Sequence, residues 1–459
     1  MSKTRIEKDS MGALKVPANA LYKAQTQRAI NNFPISDLTL PAPFIRALAY
    51  IKQSAAHTNA NLKHLPSDKA DAIINAAQQI IDGAFPDQFP IDVFQTGSGT
   101  STNMNVNEVI ATLASQNSAQ AIHPNDDVNM GQSSNDVIPT AIHVSCVIEL
   151  TTQLLPALKH LSQAISNKSA TVEDCIKTGR THLMDAMPVR LSQTLSGWQA
   201  QVDHAAGHIQ TQLASLCALA QGGTAVGTGI NADPAFAESF NKNLSKRIGI
   251  QFTPSDNFFF SIGSQDSVVN LSGSLKTLAV AIMKISNDLR WMNSGPLAGL
   301  CEIELEALQP GSSIMPEKVN PVIPEAAAMA CAQVIGNDTT ITVAGQSGNF
   351  ELNVMLPVIA YNILESIKIL ANTSHLLADK AISTFKVNND NLQATLSKNP
   401  ILVTALNPII GYEAAAKIAK LAYQQNKPII EVAKEHTTLS EDELTKLLNP
   451  EKLTKGGLS

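Results

Sequence analysis

The chain of 459 residues carries 33 basic and 39 acidic side chains, and its composition is 44% hydrophobic, 16% charged and 4% aromatic. That length allows two or three domains, and the apolar content supports a large core rather than a disordered chain. A net charge of −6 with so few aromatics leaves neither an electrostatic nor a stacking footprint for nucleic acid.

Met1-Ser2-Lys3-Thr4-Arg5 leads into acidic and small residues instead of an apolar signal segment. No window is expected to reach the uninterrupted apolar length of a membrane span. The five cysteines, Cys146, Cys175, Cys217, Cys301 and Cys331, are scattered without CxxC spacing. An odd, dispersed set suits reduced thiols better than a disulfide frame or a metal cage. A soluble, cytoplasmic, globular protein is the expectation.

In chain order, residues 1–133 mix short helical patterns with polar turns. Helices are predicted over 47–64 and 67–83, the second capped by Ser67 and closed by Gly83. Gln95-Thr96-Gly97-Ser98-Gly99-Thr100-Ser101-Thr102-Asn103 follows, where glycines and hydroxyls let backbone amides approach an anion. It lacks the spacing of a phosphate-binding P-loop. After His123-Pro124-Asn125-Asp126 comes Gln132-Ser133-Ser134-Asn135-Asp136, then an apolar stretch over 137–165 whose aliphatics face more than one side, as in a buried helix. Ser133, Ser134 and Asn135 therefore belong at its amino end, with Pro139 in or near the first turn. One hydroxyl suffices as a cap; three polar groups in a row exceed that need.

Long helices dominate the middle of the chain. Val268, Leu271, Leu275, Leu278, Ile282, Ile285 and Leu289 alternate steps of three and four, a heptad seam that predicts bundle packing. Residues 192–219, 325–343 and 358–377 also read as long helices. No alternation of strands with helices suggests a parallel sheet, and Gly222-Gly223-Thr224-Ala225-Val226-Gly227 lacks the strand and spacing of a dinucleotide loop. After about Val387 the helices shorten, and Ser440-Glu441-Asp442-Glu443 is a capping box with Leu439 and Leu444 as its staple. The expected class is all-α, divided at 1–133, 134–388 and 389–459.

One loop breaks this helical pattern with chemistry. Gly311-Ser312-Ser313-Ile314-Met315-Pro316-Glu317-Lys318-Val319-Asn320-Pro321 carries two hydroxyls, an ammonium and a carboxamide. Asn320 before Pro321 fits a helix start, with Asn as cap and Pro in the first turn. Gly179-Arg180-Thr181-His182 is a further polar stretch. Thr100, Ser133, Ser134, Asn135, Thr181, His182, Lys318 and Asn320 together form a set rich in neutral donors, suited to a small dicarboxylate. Losing water from a 2-hydroxy dicarboxylate requires removal of a weakly acidic C–H proton, with charge gathering on the adjacent carboxylate as an aci-carboxylate. Preorganised donors and a cation stabilise that charge. A serine hydroxyl serves as the base only if backbone N–H groups and a cation such as Lys318 stabilise its oxyanion.

With these residues in view, the chain resembles the fumarase/aspartase superfamily, and within it the class II fumarases, along nearly its whole length. The likeness begins at Glu7-Lys8-Asp9-Ser10-Met11-Gly12 and takes in the motifs above. It continues through Ser347-Gly348-Asn349-Phe350-Glu351-Leu352-Asn353 and Thr404-Ala405-Leu406-Asn407. The resemblance implies a mostly helical, three-domain subunit with a central long-helix bundle, and a homotetramer whose active sites are each assembled from three subunits. It implies reversible hydration of fumarate to L-malate, with no metal or organic cofactor. Ser312 is implied as the base taking the C3 proton, while Lys318 and Asn320 hold the carboxylate that gathers charge. Ser98, Thr100, Ser133, Ser134, Asn135 and Thr181 are implied to bind substrate. His182, polarised by Glu325, orients water or moves a proton; an alternative family reading makes His182 the base through water. His123, Asn125 and Asp126 resemble the family's second dicarboxylate site.

Aspartate ammonia-lyase is the alternative within the superfamily. Aspartases typically carry Gln at the position of His182, and Gly-Ala-Gly-Thr where this chain has Gly97-Ser98-Gly99-Thr100; both differences favour fumarase. Glu317, in place of a small residue, and the aspartase-like Val322-Ile323-Pro324 are departures. Glu317 is expected to point to solvent. A non-catalytic helical scaffold is a remoter alternative.

Overall fold

The computed structural model describes residues 3–118 and 120–457, so the reading of Met1 and Ser2 lies outside the described residues. Among them, a hairpin of β1 (Thr4–Asp9) and β2 (Gly12–Pro17) precedes α1 (Ala24–Asn32), α2 (Ala42–Asn61), α3 (Ser67–Ile81) and α4 (Thr100–Gln116). Next come α5 (Ser134–Glu149) and α6 (Leu155–Thr171), which a π-type turn at Leu150–Leu154 joins into one 38-residue helix. A second hairpin, β3 (Ile176–Thr181) and β4 (Met184–Arg190), leads into α7 (Leu191–Leu216), α8 (Phe236–Ile248), α9 (Phe258–Gly263) and α10 (Asp266–Met292). The long helices α11 (Val322–Gly345) and α12 (Leu356–Leu377) follow, then shorter ones from Asn389 to Leu453. Sheets among the described residues are two-stranded only, so the helical expectation holds.

The chain forms two compact units. One is built from the chain up to Pro156 with Ala205–Ala279 and Ala332–Ala371; the other from Ala157–His204, Val280–Cys331 and the chain from Asn372 onward. In the first unit, α2 packs on α3, α5 and α8 and buries Phe44, Leu48 and Ile51 completely. In the second, Trp198 is 1% exposed and its indole N–H donates to Asp288. The end of this unit has its own apolar core, in which Leu406, Val432, Ala433 and Leu444 are fully buried.

The heptad seam on α10 is as periodicity demands, with all seven residues from Val268 to Leu289 at 0% exposure. Burying a Leu or Ile side chain contributes about 1.5–3 kcal/mol, which makes this helix a main anchor of the fold. The capping box at Ser440 forms as expected, with the Glu443 amide donating to Ser440 Oγ and the Ser440 amide to Glu443.

Other local expectations need correction. The first predicted helix starts earlier, at Ala42 after Pro41, because Pro presets a helix entry. Ser67 is the first helical residue rather than the cap, a position held by Pro66. Pro139 lies in the second turn of α5, where it removes the amide that would meet the Asn135 carbonyl. α7 stops at Leu216, and Ala218–Leu219 instead pairs with Thr253–Pro254. Two helices, Ser134–Thr171 and Asp266–Met292, do reach the length and apolarity of a membrane span, against expectation. Their most apolar windows are 61% and 50% buried within the protein, the pattern of core helices.

Candidate active site

In the first unit, two helix starts meet. Gly99 takes the left-handed conformation (φ 72°) that turns the chain into α4, and a Cβ on Gly97 would lie 1.7 Å from the Val354 carbonyl oxygen. Both positions therefore require glycine. The turn sets Ser98 Oγ 2.7 Å from Thr100 Oγ1, which in turn lies 2.6 Å from Ser134 Oγ on α5. Gln95 secures the first turn of α4 by accepting from the Thr102 amide and hydroxyl.

Ser133 caps α5 through its hydroxyl, and its own amide donates to Asp136 in a capping box. Asp136 is 0% exposed and also accepts from the Gln221 side chain and the amides of Gly222 and Thr224. Burial pushes this carboxyl up to about 6, against the downward pull of those backbone amides and of Lys52. Lys52 is also 0% exposed, and it donates to Asn129 Oδ1 and Gln132 Oε1. Burial lowers its ammonium to about 7, opposed by Asp136. The Asn135 side chain donates to the Ala225 carbonyl at 2.8 Å. Ser98, Thr100, Ser133, Ser134 and Asn135 are thus one cluster on a buried polar base. Hydroxyls at two helix amino ends favour an anion.

His123, Asn125 and Asp126 sit on a short turn. His123 Nδ1 lies 3.3 and 3.1 Å from the Asn125 and Asp126 amides and 3.1 Å from Asp126 Oδ2. Its side chain is 54% exposed and that of Asp126 83%, leaving both open to solvent.

In the second unit, Thr181 and Met184 pair at the tip of the β3–β4 hairpin, with His182 (φ 55°) and Leu183 (φ 61°) between them. Positive φ at both central residues is the signature of a type I′ turn, which usually takes Asn-Gly. Here a histidine and a leucine occupy it, at a cost of about 1–2 kcal/mol each, and all four side chains are exposed. The hairpin is tied down near its tip: Arg180 and Lys177 pair with the buried Glu302 at 2.6 and 2.9 Å.

The 311–321 loop is closed at its neck. The Gly311 amide donates to the Lys318 carbonyl at 2.8 Å, and Asn320 Nδ2 donates to the Gly311 carbonyl at 2.6 Å. α11 begins at Val322, after Pro321, and the Asn320 side chain serves as a latch to Gly311 rather than as the expected helix cap. Ser312 Oγ accepts from the Ile314 amide at 3.3 Å and the Met315 amide at 2.9 Å. Glu317 is exposed, yet it borders the same cavity as Lys318. Lys318, Asn320 and Glu325 line a cavity of about 1030 Å³ with Arg290, Asn293 and Glu304. One hydroxyl held by two amides, with an ammonium and a carboxamide nearby in the loop, matches the chemistry of proton abstraction next to a carboxylate.

Sequence reasoning missed the groups beneath the hydroxyl cluster: Asp136, Gln95, Gln221 and Lys52. The Ser133-x-x-Asp136 spacing is the signal for the first. Nothing local marks the others, whose burial comes from tertiary packing.

A family model described as Lyase matches residues 12–336, and one described as Fumarase C C-terminus matches 402–455. The chain is 62% identical to a fumarate hydratase class II of Pseudomonas aeruginosa, over all of both chains. It is 57% identical to one from Xylella fastidiosa, covering 99% of this chain and 96% of that one. A class II fumarase structure from Schistosoma mansoni superposes with a TM-score of 0.96 at 38% identity, covering 98% of this chain and 99% of the other. Matches of this length and identity mean that the chain belongs to the class II fumarate hydratase family of lyases.

Proposed function

We infer that this chain is a hydro-lyase that converts fumarate and L-malate into each other by anti addition and elimination of water. The reading rests on the family, and the observation that carries its chemistry is Ser312 Oγ accepting from two loop amides. Those amides stabilise the alkoxide that would take the C3 proton. Lys318 and Asn320 hold the carboxylate on which charge accumulates; Asn320 keeps Oδ1 and one N–H beyond its bond to Gly311. Ser98, Thr100, Ser133, Ser134, Asn135 and Thr181 supply donors to the substrate's carboxylates. His182, with Glu325, serves the proton transfer to the departing hydroxyl, which leaves as water. His123, Asn125 and Asp126 form an accessory dicarboxylate site.

A homotetramer in the cytoplasm, with each active site shared by three subunits, accompanies this reading. In its support, Val280, Met329 and Val343 on the long helices are 55%, 69% and 49% exposed, apolar surface suited to further helices. A monomeric mass in solution would sink it. The division at 1–133, 134–388 and 389–459 is kept as part of the proposal, supported by the self-contained core between Leu402 and Leu448.

The test is ultraviolet absorbance of the purified protein with L-malate, then with L-aspartate, since fumarate's conjugated double bond reports either elimination. Signal from malate alone is expected. Signal from aspartate alone would mean that Val322-Ile323-Pro324 is the better guide to substrate than His182. Silence from both would favour a non-catalytic scaffold.

A further inference from the structure

Away from these groups, in the second unit, three side chains with metal-binding atoms converge on one exposed patch. His160 stands on α6. His375 lies near the end of α12, and Asp379 follows one turn later in the π-type turn Ala378–Ile382. A spacing of four residues puts His375 and Asp379 on one helix face, and His160 reaches them from its own helix. His160 Nε2 and Asp379 Oδ1 are 2.6 Å apart, and the two imidazole rings have centroids 5.3 Å apart, tilted by 38°. One donor atom from each residue lies within 4.8 Å of the other two.

We propose that His160, His375 and Asp379 form a surface site for a divalent transition-metal ion of the zinc type, clamping α6 to the end of α12. Ligand atoms about 2.0–2.2 Å from a tetrahedral zinc are about 3.3–3.6 Å from one another, so small side-chain rotations that open the His160–Asp379 pair and bring the wider pairs in would complete the set. Two imidazoles with one carboxylate are ligands that suit zinc, copper, nickel and cobalt rather than calcium or magnesium. The carboxylate offsets one of the two positive charges, and solvent reaches the remaining coordination position because all three side chains are exposed. The alternative role of these groups is a surface ion pair, which would bind no metal.

None of the three residues belongs to the proposed catalytic set, so binding and fumarase activity can be read separately. The experiment uses the full chain, stripped with chelator and titrated with Zn²⁺ by calorimetry, then with Co²⁺ as an optical probe. One ion per chain is expected, with visible cobalt d–d bands and no thiolate charge-transfer band. Binding should vanish in His375→Gln and in His160→Gln, and weaken at least about tenfold in Asp379→Asn. Circular dichroism and activity of the metal-free variants should equal those of the parent. Saturable Zn²⁺ should also raise Tm of the parent and not of His375→Gln, because the ion binds the folded state alone. Absence of saturable binding would overturn the proposal, as would equal binding by parent and variants. A thiolate band would also overturn it, by moving the site to the cysteines.

Discussion

The hydroxyl cluster of the first unit and the loop of the second hold the same kinds of polar group by opposite means. Thr100, Ser133 and Ser134 start two helices and rest on Asp136, a buried carboxylate that receives four donors. The loop is fastened only at its neck, by Gly311, Lys318 and Asn320, while Ile314 is 84% and Met315 49% exposed at its tip. The first is preorganised by the fold, so its donors meet an anion without rearranging. The second is organised locally, by two amides of its own around Ser312. In the proposed mechanism, binding geometry falls to the rigid part and proton transfer to the part that has room to move.

Substitutions sharpen this contrast. The largest effect is expected from Ser312→Ala: loss of a general base lowers kcat by about 10²–10⁴-fold, with KM and Tm nearly unchanged, read from fumarate absorbance and thermal melting. A raised KM with kcat kept would return the base role to His182. Asp136→Ala should instead act on stability, by about 3–5 kcal/mol, because it strips the acceptor from four donors, three of them buried; a denaturant titration measures it. If activity fell while stability held, the carboxylate would have to act on substrate directly. Thr100→Val removes the middle hydroxyl of the Ser98–Thr100–Ser134 chain, and losing a hydrogen bond to a charged ligand costs about 1.5–3 kcal/mol. That cost should appear mainly as a raised KM for malate.

The smallest effect concerns Lys52. Burial lowers its folded-state value to about 7, whereas the unfolded chain keeps the ordinary 10.5. Between these limits the unfolded state binds more protons, so this residue's contribution makes stability rise with pH, by at most about 1.4 kcal/mol per unit. Lys52→Met should flatten that slope between pH 7 and about 8.5, as denaturant midpoints across the range would reveal. An unchanged slope would place the ammonium's counter-charge closer than the fold shows.

Much of this was legible from particular residues. The α10 seam was readable because three- and four-residue steps of Val, Leu and Ile leave a helix one face to bury. Ser440 announced a helix start through its spacing to Glu443, and Ser133 through its place just ahead of an apolar stretch. Pro66 displaced Ser67 as a cap because both residue types favour a helix entry and only packing chooses between them. The His182–Leu183 turn carried no Asn-Gly signal, since the paired strands and the Arg180–Glu302 anchor impose its left-handed backbone from outside. Asn320 looked like a cap and became a latch, because the loop folds back far enough for its amide to reach Gly311.

By itself, then, the sequence determined the helical class, the long-helix seams, the polar stretches and the family, because periodicity, turn chemistry and motif order are local properties. Tertiary structure alone decided that Thr100 meets Ser134 across 34 residues and that Asp136 and Lys52 lie buried beneath them. It also decided that His160 faces His375 and Asp379. Contacts between distant segments follow from how whole helices pack, and no short stretch of chain encodes that.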